Sequence, residues 1–218
     1  MWKKLWEKYR HGWVFLYIFI YLPWFFYLEK HITTDYHLIH ASLDDKIPFI
    51  EYFIIPYTLW FAFIAVTIGY FFFFGEKSEF YRLIILLFSG MTIFLIVSTV
   101  YPNGLQLRPE TFARDNIFVD MVRQLYAVDT STNVLPSIHV YNSLGVYIAI
   151  SHCSKLKQYR WVQILTLLLT ISIILSTMFL KQHSVIDVVA GFIMAGVLYL
   201  IVYKPVKVRG KNSLENLA

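Results

Sequence analysis

Two short stretches carry the residues that could do chemistry. Near the C-terminal end, Ser176–Asp187 sets Lys181, His183 and Asp187 against apolar sequence, and Asn133–His139 does the same with Ser137 and His139. A charge at the bilayer centre costs about 2.5 to 3.5 kcal/mol on insertion scales, so polar groups beside a membrane span mark a candidate site. His183 and Asp187 are four residues apart, one helical turn, and share a face. The Asp can accept the imidazole Nδ1 hydrogen, which leaves Nε2 free as a nucleophile. The plainer reading is a capping His beside a satisfied Asp. Pro136 suits the first turn of a helix, so Ser137 and the N–H groups near it would face phosphate oxygens beyond the helix start. His139 then stands where a general acid would be needed. Its plainer reading is a core His behind a capping Pro-Ser. Arg108, within Gln-Leu-Arg-Pro, has the planar fork that grips phosphate through two parallel hydrogen bonds, although an isolated loop Arg is ordinarily solvated. The expectation is that these stretches meet in space around a phosphate.

The elements that must position them are membrane helices. With 58% hydrophobic residues and a mean hydropathy of +0.57, the chain of 218 residues holds more apolar surface than one soluble core can hide. The net charge of +5 forms no continuous basic stripe, which argues against nucleic acid as a partner. One cysteine, Cys153, excludes an intramolecular disulfide and the usual cysteine metal sites. Six apolar spans are expected, at 11–28, 51–74, 82–100, 137–152, 159–180 and 184–203, in a single all-α membrane domain. Pro23 and Pro56 fall inside the first two, where a membrane helix tolerates a kink. The first span follows a basic start but has no small-residue cleavage site, so it is expected to be retained. The fourth is diluted by Asn142, Ser143, Gly145 and Ser151 and should face protein more than lipid.

Lys and Arg divide 13 to 6 between the two sides of this arrangement. The bias puts both termini in the cytoplasm and both chemical stretches outside. The outer connection Tyr101–Pro136 is far longer than a plain link. Within it, apolar residues from Glu110 to Val128 recur at near-helical spacing, predicting an amphipathic helix that either lies in the interface beside a lipid access path or packs on its own bundle. The other outer connection, Glu29–Ile50, carries His31, Asp35, His37, His40, Asp44 and Asp45 without tight ligand spacing, and reads as a solvated loop with no metal. Gly191-x-x-x-Ala195 permits close packing, inside the bundle or between subunits.

The motifs resemble those of the type 2 phosphatidic acid phosphatase superfamily, also called the lipid phosphate phosphatase or acid phosphatase/haloperoxidase family. That family's Lys-x6-Arg-Pro, Pro-Ser-x-His and Ser-Arg-x5-His-x3-Asp stand here as Tyr101-x6-Arg108-Pro109, Pro136-Ser137-Ile-His139 and Ser176-Thr177-x5-His183-x3-Asp187. The resemblance covers a motif-bearing core of about 80–203. It implies that His183 attacks phosphorus to give a phosphohistidine, Asp187 orients it, His139 protonates the leaving group, and Arg108 and Ser137 hold phosphate oxygens, with no metal or other cofactor. It implies a lipid phosphate or diphosphate substrate such as phosphatidic acid, phosphatidylglycerophosphate or a polyprenyl diphosphate.

Two departures stand out. Tyr101 replaces the family's Lys and Thr177 its Arg. Lys181, four residues beyond Thr177, would reach the same side if the fifth span continued that far. As a point charge it would grip a different geometry from the fork it replaces. The expected function is therefore a phosphatase of membrane lipids, placed in a bacterial plasma membrane by compact length alone. A phosphotransferase akin to sphingolipid headgroup synthases is the alternative, and a transporter that kept the fold a more distant one.

Overall fold

The structure, a computed structural model, describes residues 2–204; Lys207, Arg209 and Lys211, part of the cation count above, lie outside the described residues. Eight α-helices dominate: α1 (Trp2–Tyr9), α2 (Ile18–His31), α3 (Ile54–Phe74), α4 (Lys77–Val100), α5 (Ile117–Val128), α6 (Ile138–His152), α7 (Arg160–Phe179) and α8 (Val185–Tyr203). A 3-10 segment, Arg10–Tyr17, joins α1 to α2 without a break, and another, Glu51–Phe53, leads into α3. Pro56 consequently falls in the first turn of α3, where its missing N–H costs nothing, whereas Pro23 lies within α2.

Among the described residues, five segments are long and apolar enough to cross a membrane: Trp6–His31, Glu51–Phe74, Lys77–Val100, Arg160–Phe179 and Val185–Tyr203. The expected fourth span, α6, has 15 residues, about 22 Å at 1.5 Å per residue, and falls short of the roughly 30 Å hydrocarbon core. Its surroundings account for its composition. α6 packs against α3, α4, α7 and α8, and Asn142 and Ser143 are buried there. A helix enclosed by other helices needs no lipid-facing stripe.

Close approaches lock α6 in place. A Cβ on Gly90 of α4 would lie 2.0 Å from the Tyr141 ring, and the Tyr141 hydroxyl donates to the Leu86 carbonyl. A Cβ on Gly191 of α8 would meet the Ser137 carbonyl at 3.0 Å and Val140 at 3.1 Å. Gly191 therefore serves contact within the bundle, which decides between the two packings open from the sequence.

The long connection after α4 is a knitted structure. Strands β1 (His37–Leu38) and β2 (Asn103–Gly104) pair in parallel, a small sheet that the all-α expectation did not include. Buried Asn103 holds the chain entering α6, its Oδ1 accepting from the Val134 and Leu135 N–H groups, both at 2.9 Å. The helix expected over Glu110–Val128 begins only at Ile117, because Asn116 turns its side chain onto the Phe118 and Val119 N–H groups and caps it there. Val122 of α5 packs with Ile54, Tyr57 and Leu180, and the Tyr126 hydroxyl donates to the Leu180 carbonyl at 2.7 Å.

Candidate active site

The starts of α6 and α8 bring the two stretches together. Ser184 caps α8 by accepting from the Ile186 N–H at 3.1 Å, and the Asp187 Oδ2 accepts from the Ser184 N–H at 2.9 Å, a reciprocal box closing both orphan donors. Ser137 caps α6, its Oγ accepting from the Val140 N–H, and its own N–H donates to the Asp187 carbonyl at 3.1 Å. The two helix starts are thus joined through backbone.

Upon this frame stands a chain of three side chains. The Asp187 Oδ2 lies 3.4 Å from His183 Nδ1, with Asp187 fully buried and His183 6% exposed. His183 Nε2 lies 3.4 Å from His139 Nδ1. The His139 ring is backed by Trp60 at 4.3 Å and Tyr57 at 4.7 Å between centroids. A proton on His183 Nδ1 facing the carboxylate leaves the Nε2 lone pair facing His139, the arrangement of a nucleophile with an orienting acid on one side and a proton carrier on the other.

Both histidines open on a cavity of about 60 Å³, whose lining also includes Glu29, Tyr57, Asp129, Asn133 and Gln182. No Lys or Arg is among its described lining residues. Arg108 stands behind Gln182: its Nη2 donates to Gln182 Oε1 at 2.6 Å and to the Thr130 carbonyl at 2.9 Å, its Nη1 to the Tyr126 carbonyl at 3.3 Å, and its guanidinium lies over the Tyr126 ring at 4.4 Å. Burial lowers the Arg108 pKa from its ordinary value, with Asp129 opposing. Burial also raises the Asp129 carboxyl, against the Tyr57 hydroxyl that donates to it at 3.1 Å and the charge of Arg108.

Other residues singled out in the sequence lie elsewhere. Ser137 is fully buried, with its Oγ and N–H engaged at the cap. Tyr101 is exposed and stacks on His37 at 4.3 Å. Thr177 is buried in α7, its hydroxyl on the Ile174 carbonyl at 2.7 Å; its carbonyl accepts from the Gln182 and His183 N–H groups and so sets the turn that presents His183.

The helical reach from Thr177 to Lys181 is not made. α7 ends at Phe179, and Lys181 takes a left-handed φ of 54°. Its ammonium donates to the carbonyls of Asp44 at 2.7 Å and Ile47 at 2.5 Å, and burial lowers its pKa despite Asp44.

The connection read as a solvated loop contains a structural carboxylate. Asp44 is 2% exposed and accepts from the Ser184 hydroxyl at 2.6 Å and the Val185 N–H at 2.9 Å, at the positive end of α8. Glu29, Asp129, Gln182 and Asn133 were not found from the sequence. Gln182 and Asn133 fell within the two stretches singled out, where neither was given a role.

A protein-family model described as the PAP2 superfamily matches residues 83–211. No curated protein and no solved structure gives a significant match.

Proposed function

Because the chain belongs to the PAP2 superfamily, whose members are generally phosphatases, we propose that it is a lipid phosphate or diphosphate phosphatase working through a phosphohistidine on His183. The observation that carries this reading is the Asp187–His183–His139 chain, buried at two helix starts and open to one cavity. The phosphoryl group enters between the imidazoles, replacing their 3.4 Å contact. The His183 Nε2 lone pair attacks phosphorus, the phosphorus–oxygen bond to the lipid breaks, and protonated His139 gives its proton to the departing oxygen. Asp187 stabilises the positive charge on His183. Water then gives a proton to His139 and attacks phosphorus, the phosphorus–nitrogen bond breaks, and phosphate leaves. Arg108 supplies the near cation through Gln182, and no metal is required.

In this reading α6 is the sixth crossing, short because it is enclosed by other helices. The excess of cations on the opposite side supports a site at the extracytoplasmic boundary with both termini in the cytoplasm. The same reading sets α5 at that boundary, where its exposed Ile117 and Val128 would meet membrane lipid.

A second reading, transfer of a phospho-headgroup to a lipid alcohol, is favoured by one observation: Glu29 and Asp129 face the cavity while no Lys or Arg is among its described lining residues. That suits a diester with less charge than a phosphate monoester. Incubating purified protein with a phosphorus-labelled lipid and a lipid alcohol separates the two. Label released as inorganic phosphate supports hydrolysis, and label in the acceptor supports transfer. Label retained in the starting lipid, with wild type indistinguishable from His183→Ala, would falsify both.

A further inference from the structure

The rest of the cavity wall, beyond the histidines, has an unexpected chemistry for a phosphate site. Glu29, at the end of α2, and Asp129, just after α5, both line it. Glu29 is held open to the cavity by its partners: the Thr130 hydroxyl donates to Oε2 at 2.5 Å and the Asn133 amide to Oε1 at 2.9 Å. Because the Asn133 NH2 must face that carboxylate, its Oδ1 is fixed on the other side. Asn133 is 6% exposed, lines the same cavity, and its Oδ1 has no donor. A buried acceptor without a donor destabilises the fold, and a ligand N–H would relieve it. Phe25 and Phe94 add aromatic rings to the lining, whose faces attract cations.

We infer that this wall binds a primary ammonium, and that the substrate is a phosphate ester whose headgroup carries one, as in phosphoethanolamine. The inference rests on the His183 chemistry in its second reading, in which a diester gives up its phospho-headgroup to the imidazole, and names the substrate class of that site. A phosphate monoester without an ammonium would face two carboxylates, whereas a zwitterionic headgroup sets its phosphate against the histidines and its ammonium against Glu29, Asp129 and Asn133 Oδ1. An acceptor without a donor and a cavity of about 60 Å³ both prefer a small N–H donor to a bulky quaternary ammonium.

The test compares wild type, Glu29→Gln and Asp129→Asn, each in nanodiscs and each checked for an intact thermal midpoint. Turnover is measured on phosphatidylethanolamine, phosphatidylcholine and phosphatidic acid, and calorimetric binding on soluble phosphoethanolamine, phosphocholine and inorganic phosphate. The expected result is phosphatidylethanolamine as the best substrate, with the ratio of its kcat/KM to that of phosphatidic acid falling at least tenfold in both variants. Phosphoethanolamine binding that weakens in both variants, without turnover of any lipid, would uphold the ammonium wall and sink the catalytic reading. Turnover of phosphatidic acid in preference to both zwitterionic lipids, with the same ratio in all three proteins, would overturn the wall and leave the catalytic reading standing. A choline preference overturns the primary-ammonium assignment, and so does the absence of both turnover and binding.

Discussion

The two walls of the cavity are built by different means. On one side, His139 and His183 hang from helix starts whose N–H groups are closed by their own caps and tied through the Ser137–Asp187 backbone bond. On the other, Glu29 and Asp129 come from a helix end and a long connection, with Arg108 behind the lining, and side-chain hydrogen bonds to Thr130, Asn133, Tyr57 and Gln182 hold the three. Backbone fixes the groups that the proposed mechanism needs at a set distance. Side-chain bonds hold the groups that recognise, where a single substitution changes the pattern without moving a helix.

The strongest way to break this division is to remove the nucleophile. His183→Ala is expected to lower kcat by at least about 10³-fold, the scale of losing a covalent catalyst, while the thermal midpoint stays near wild type because the α8 cap does not use the imidazole. Retained turnover in a labelled-product assay would sink the assignment. Next comes Arg108→Lys. A point charge cannot hold Tyr126, Thr130 and Gln182 at once, so kcat/KM should fall about 10- to 100-fold, as expected for a charged hydrogen bond worth roughly 1.5–3 kcal/mol. A change under twofold would move Arg108 out of the recognition wall.

Lys181 tests the boundary between site and scaffold. Lys181→Ala keeps a left-handed residue and loses both carbonyl contacts, so stability should fall, by about 1–2 kcal/mol in denaturant titration. Lys181→Gly should recover part of that by relieving the backbone, since glycine adopts this φ freely. Both should leave kcat/KM within about twofold. A large loss of substrate affinity in either would return Lys181 to the phosphate.

The smallest effect concerns Asp129, which faces Arg108, Tyr57 and His183. Its pKa is raised in the folded state, so its contribution to stability is complete below the ordinary carboxylate range and declines as pH rises through the folded value. Asn cannot titrate. The melting point of wild type should therefore drop relative to Asp129→Asn between acid and neutral pH, by about a degree or two. An unchanged difference across that range would mean that burial does not govern this carboxyl.

The unequal legibility of the two walls in the sequence follows from the same difference. His183 and Asp187 are one helical turn apart, and Pro136–His139 announces a helix start, so those positions were readable from local spacing. The helical bundle was readable from apolar runs, except that α6, enclosed by its neighbours, has neither the length nor the hydropathy of a full span. Glu29 meets Thr130 across 101 residues of chain, and nothing local to either announces the pairing. Asp44 looked solvated because only the folded chain brings the N-terminus of α8 to it. The turn at Lys181 was hidden for another reason: a left-handed residue is expected to be glycine, and a lysine there gives no sign that the helix has stopped.

Asp187 sits at the centre of the legible half, and its carboxylate closes the start of α8 with the same oxygen that faces His183. In the proposed mechanism one atom therefore serves folding and turnover, and drift at this position would surface first as poor folding. Purifying selection on abundance alone would keep the carboxylate even in a lineage that had abandoned catalysis. An inactive descendant is then better recognised by the loss of His139 or His183, neither of which caps a helix.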